Sequence, residues 1–200
     1  MKPIQLLSKI PYLLLLLVFL TSCKEKEIKT IYLSNKALDY RIDTTISSFL
    51  MIDTNKISEE FSLVQDIFGN YQHQFISDLG HDVNLEIFKI EYLSAVNNLH
   101  IDYIFLASEE YTEFQINWNR KDLLTYNFDD KKVISGISPK VTFIDTMTVK
   151  GVTFNKIIEI DYSDKVNQIH SATPIITYIA AGKGLIKLVL TNGHVLERVN

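Results

Sequence analysis

Few residues in this 200-residue chain are placed to do chemistry. Cys23 is its one cysteine, and it follows the small residues Thr21 and Ser22. A thiol is intrinsically nucleophilic even without an activating base. His100 and Asp102 lie two apart, on one face of any strand that contains them, and His81-Asp82 follows Gly80 in a stretch that reads as a turn. A zinc site needs three or four ligands converging, each oriented by an outer partner. His73, His81, His100, His170 and His194 are scattered at spacings that suit neither a helix nor a ribbon, so no metal and no cofactor is expected. The pairs Glu59-Glu60, Glu109-Glu110 and Asp129-Asp130 resemble an acid and a base side by side. Neighbours on a strand point to opposite faces, however, and these pairs read as solvated loop charges. Gly182-Lys183-Gly184 lacks a phosphate loop's earlier glycine and its following Ser or Thr, because Thr177 and Gly184 stand there. No Gly-x-Ser-x-Gly elbow occurs. No catalytic residue is assigned.

The first 22 residues have the parts of a secretory signal: Lys2 and Lys9, an apolar run from Ile10 to Leu20, and small residues before the cut. Eleven helical residues at ~1.5 Å each cover about half of a ~30 Å hydrocarbon core. The run is therefore expected to be a leader, not a spanning helix. Leu20-Thr21-Ser22-Cys23 resembles the lipobox of bacterial lipoproteins. In that family the Cys thiol receives a diacylglyceryl group, the leader is cut, and the new amine is acylated. The resemblance implies lipidation at Cys23, palmitate among the attached chains, and the membrane as a partner through that lipid. Two lipid signals already anchor stably, so three chains imply permanent anchoring. Lys24-Glu25-Lys26-Glu27 follows, without the Asp that marks inner-membrane retention, which implies the outer membrane. The same charges resemble the export signal of surface-displayed lipoproteins, and the periplasmic face and the cell surface both stay open.

Removing residues 1–22 from the 200 leaves 178, a size that suits one domain with a substantial core. The leader takes two Lys and no acid with it, so the remainder carries 18 basic and 24 acidic residues. An acidic chain with dispersed lysines does not suit nucleic acid. No disulfide is available once Cys23 carries lipid, and packing alone must hold the fold. The organisation expected is a leader at 1–22, a lipidated tether at 23–30 and one β-domain at 31–200.

Apolar and polar residues alternate along most of that domain, the period of half-buried strands. Phe114, Ile116 and Trp118 alternate with Glu113, Gln115, Asn117 and Asn119, while Leu99, Ile101, Tyr103 and Phe105 alternate with His100 and Asp102. The apolar phase slips by one between Val83, Leu85, Ile87 and Phe88, Ile90, Tyr92, as a bulge or a doubly covered strand would cause. Lys150-Gly151 and Asn192-Gly193 mark tight hairpins, and Gly182-Lys183-Gly184 marks a third reversal. A helix is expected over Ser58–Phe68, capped by Ser58 and ended by Gly69, with Phe61, Val64 and Phe68 on one face. The pattern defines a mainly β fold: a single strongly curved antiparallel meander, half-barrel or barrel-like, with room for one short helix on its concave side.

Tyr32-Leu33 to Tyr40-Arg41, Gly151 to Ile160, and Tyr178 to Lys187 through Gly182-Lys183-Gly184 resemble segments of uncharacterised β-rich outer-membrane lipoproteins. That resemblance implies the same sheet and no agreed activity. Tyr103, Phe105, Phe114 and Trp118 then have two readings: the core of the sheet, or, in an open half-barrel, an apolar groove for a lipid or hydrophobic peptide. The function expected is a non-enzymatic binding or scaffold domain with a protein or hydrophobic ligand. The alternative is an envelope-polymer hydrolase using His100, Asp102 or Glu109 with a second carboxylate.

Overall fold

Alternation becomes strands wherever a second strand satisfies the backbone. The computed structural model describes residues 28–42, 47–76, 81–94, 99–119, 121–169 and 174–199; Cys23 and the leader lie outside the described residues. The first half contains β1 (Lys29–Ile31), the helix α1 (Asn35–Leu38), β2 (Ser48–Ile52), β3 (Ser58–Ile76), β4 (His81–Ser94), β5 (Leu99–Ala107) and β6 (Thr112–Trp118). There follow β7 (Lys121–Asn127), β8 (Lys132–Gly136), β9 (Lys140–Val149), β10 (Val152–Asp161), β11 (Pro174–Ala180), β12 (Gly184–Leu190) and β13 (Val195–Val199).

These form one 13-stranded sheet in the order β8-β7-β6-β5-β4-β3-β2-β13-β12-β11-β10-β9, with β1 added parallel to β4. Two antiparallel meanders are thus joined where β2 pairs with β13. The sheet is strongly curved and not closed: β8 and β9 are its free edges. Only residues 137–139 separate them in sequence, and the rings of Phe128 and Phe143 meet across the seam at 5.6 Å. The ladder starts at Lys29, inside the stretch read as tether.

The helix expected over Ser58–Phe68 is instead the first half of β3, paired with β2 on one edge and β4 on the other. Its helix-like spacing arises from bulges, since the register with β4 skips Val64 and again Gly69. The bulge at Val64 shifts the dry face by one residue, so Phe61 and Phe68 both turn inward while Val64 itself stays exposed, and in sequence the three mimic a helical stripe. Gly69, at φ +73°, is a bulge residue and not a helix stop. Ladder bonds on both edges outweigh the weak local preference of eleven residues.

The α-helix α1 holds four residues, with Ser34 as N-cap. It sits on the concave side, where Ala37 and Tyr40 are buried. Tyr40 stacks on Phe105 at 5.8 Å and meets Phe128 edge-on at 5.7 Å. Further out, Leu33 N donates to buried Glu86 Oε2 at 2.9 Å, and Gly182 N donates to Asp39 O at 2.9 Å. The phase slip in β4 now has a cause. At Leu85 the strand loses β1 as its partner and at Ile87 it gains β5, while Glu86 turns inward to hold Leu33.

A second apolar cluster lies on the convex face, where Val149 and Phe154 pack on Ile157, Tyr178, Ala180 and Ile186. Lys150 and Gly151, at φ 47° and 80°, make the tight turn that the sequence marks. At Lys156 the backbone leaves the extended region, with φ 51°. Lys150 Nζ reaches Glu197 on β13 at 3.3 Å, three strands away from β10. The end of the β9–β10 hairpin therefore folds over β11 and β12 as an arm and dries their outer side.

Candidate functional site

Of the residues singled out in the sequence, those in 1–27, Cys23 among them, Gly80 and His170 lie outside the described residues, as do the side chains of His73, His81 and Asp82; the others have a definite place. Tyr103, Phe105 and Phe114 are 0% exposed and Trp118 2%. They form the core with Phe61, Phe88 and Ile101, and none lines either cavity described below. Burial, above all, pushes the Tyr103 hydroxyl well above its ordinary pKa, and the neighbouring Tyr92 adds to it. His81-Asp82 opens β4 and is not a turn.

His100 and Asp102 share the outer face of β5, as their spacing requires, but each is tied to its own partner. His100 Nε2 lies 2.7 Å from Glu91 Oε1, with Lys89 Nζ 3.1 Å from the other oxygen of that carboxylate. Burial opposes ionisation of Glu91, yet the hydrogen bonds from His100 and Lys89 outweigh it and hold its pKa below the ordinary value. Asp102 accepts from Asn117 Nδ2 at 2.9 Å. Glu109 lies beyond the far end of β5 and pairs with Lys29 at 3.7 Å. These groups are not brought together in either cavity, and Glu91, held ionised, is unsuited to donating a proton. Among the described residues no group of three or more His, Cys, Asp or Glu could hold a metal ion.

Of the acid pairs, Glu59-Glu60 alone lies on a strand among the described residues, and strand parity divides it. Glu59 is not a solvated loop charge: it stands on the inner face of β3, 2% exposed, and accepts from the hydroxyl of buried Ser94. Glu60, next to it, faces solvent. Asp129 and Asp130 cap the β7–β8 turn, accepting from Thr112 N at 2.6 Å and Asn127 Nδ2 at 2.9 Å. Gly182-Lys183-Gly184 is the β11–β12 reversal, with both glycines at positive φ.

Among the described residues, the cavities along the sheet include two that bear on these groups. The smaller, about 290 Å³, lies between α1, the β7–β8 turn, β9 and β10, where Tyr40, Phe128 and Phe143 meet Lys36, Lys131, Asp145 and the pair Lys156–Asp39. The larger, about 600 Å³, lies at the rim and is lined by Ser48, Phe49, Leu50, Glu60, Phe154, Lys183 and Arg198. Arg198 is its most unusual member. It is 7% exposed, stacks over Phe49 at 4.3 Å, donates from Nη1 to Lys183 O, and approaches Leu185 O at 3.5 Å. Burial lowers its pKa while Tyr92 and Tyr103 raise it; a guanidinium starting so high stays charged. Sequence reasoning missed Arg198 because Val195-Leu196-Glu197-Arg198-Val199 shows no dominant apolar phase. The pairing of Arg198 with Met51 puts it on the dry side. Comparison with models of known families, with curated proteins and with solved structures gives no match.

Proposed function

We propose that this chain is a lipid-anchored outer-membrane protein whose β-domain binds a ligand or partner without catalysing a reaction. The observation that carries the reading is Leu20-Thr21-Ser22-Cys23 at the end of a short apolar leader. The domain behind it supports a binding role, since Glu91, Asp102 and Glu109 are each engaged by a partner and a rim cavity of about 600 Å³ falls in the size range of small-molecule sites. Anchoring places that cavity near a membrane, on the periplasmic face or at the cell surface.

The test compares wild-type protein with Cys23→Ala in cells fed labelled palmitate. Wild type is expected to take up label, fractionate with the outer membrane and co-purify envelope partners, whereas Cys23→Ala loses the label and the membrane fraction. An unlabelled wild-type protein in the soluble fraction would overturn the anchor.

A further inference from the structure

We propose that the rim cavity binds an anion, a carboxylate or phosphate group carried on an apolar body, with Arg198 as its principal contact. The proposal rests on the reading of the domain as a binding module and names what it binds. An arginine presents five N–H donors, and the bonds it makes to main-chain oxygens among the described residues, Lys183 O and Leu185 O, both come from Nη1. Carbonyls satisfy donors but supply no opposing charge. No carboxylate among the described residues pairs with Arg198, although a buried ion without a counter-charge is costly. The cavity that Arg198 lines provides the room for one.

The remaining walls agree with such an occupant. Lys183 adds a second cation at the exposed turn, and Phe49, Leu50 and Phe154 add apolar surface. Glu60 is the one acid in the lining and opposes the anion. Arg198 itself is held in place: Phe49 covers one side of its guanidinium, its main chain pairs with Met51 of β2, and Nη1 is bonded to Lys183 O and Leu185 O. A planar fork held in place matches a two-oxygen anion better than a flexible lysine does. The phenyl group of Phe154 comes from the hairpin arm, so a covering element over the convex face also contributes to the wall.

Full-length protein in non-ionic detergent is titrated calorimetrically with 4-phenylbutyrate, phenyl phosphate and the neutral 4-phenylbutan-1-ol. At least one anion is expected to bind about tenfold or more tightly than the alcohol, the difference that a charge-assisted hydrogen bond supplies. The tighter of the two anions names the headgroup. Lys183→Gln should weaken the anion, Glu60→Gln should strengthen it, and neither should alter the alcohol; both positions are exposed or at the rim, so these variants carry the test even where Arg198→Met does not fold. Equal affinity for alcohol and anions, absent saturable anion binding, or anion affinity indifferent to both rim variants would each overturn the proposal. Failure here, with envelope partners still co-purifying with the wild type, removes the ligand and leaves the binding domain; loss of both removes the wider reading as well.

Discussion

Gly184→Ala should be the most damaging one-carbon addition in the β11–β12 reversal, for two separable reasons. Gly184 has φ +74°, where a Cβ costs about 1–2 kcal/mol. That Cβ would also run into the Tyr92 hydroxyl and lie 3.0 Å from both the Tyr103 hydroxyl and Ile42 Cγ2. Tyr92 and Tyr103 are buried among packed rings and cannot swing aside, so an overpacking cost of about 1–3 kcal/mol is added. The total is about 2–5 kcal/mol. Gly193→Ala is the control, because its φ is +81° but nothing lies within 4 Å of the added carbon. It should cost only the conformational share, about 1–2 kcal/mol. Urea unfolding followed through Trp118 fluorescence reads both, since the chain has one tryptophan and it is 2% exposed in the core. Each kcal/mol corresponds to roughly 2–4 °C in melting temperature at this chain length. Combining Gly184→Ala with Tyr92→Phe should recover part of the loss. Equal destabilisation by the two alanines, or no recovery with Tyr92→Phe, would refute the close approach of the hydroxyls to the turn.

Three further outcomes are expected. Phe154→Ala should cost about 3–5 kcal/mol, the usual loss for a buried ring, and should expose the β9–β10 arm to protease before the rest of the sheet; uniform protection would show that the arm is not held by that ring. Glu86→Ala leaves the Leu33 amide buried without its acceptor, at about 1–3 kcal/mol, and hydrogen exchange should accelerate at Leu33 and in α1 ahead of β5 and β6. Glu91 has a lower pKa folded than unfolded, so its contribution is full above the unfolded carboxylate value near ~4.3 and disappears as the pH falls through the folded one. Glu91→Gln should therefore flatten the acid limb of the stability curve, and an acid limb as steep as wild type would discard the Lys89–Glu91–His100 network as its source.

Much of the fold is local and can be read along the chain. Strict alternation in β5 and β6 marks strands, since side chains on a strand point alternately to two faces. Lys150-Gly151, Asn192-Gly193 and Gly182-Lys183-Gly184 mark reversals because positive φ restricts the residues that fit there. The misreading of β3 as a helix has a non-local origin: two bulges at Val64 and Gly69 are set by register with β4, and no window of eleven residues contains that information. The aromatic cluster was recognisable as core material, while its burial depends on contacts from distant elements, such as Tyr40, just past α1, stacking on Phe105.

The amino-acid order by itself determined the strand class, the turns and the lipobox resemblance at Cys23. Tertiary structure alone decided that β2 lies beside β13, that Glu86 meets Leu33 across 53 residues, and that Arg198 rather than His100 or Asp102 borders the larger cavity. The physical reason is desolvation: a charge becomes distinctive when strands from distant parts of the chain exclude water around it, and for Arg198 those strands are β2, near the start of the domain, and β12, near its end.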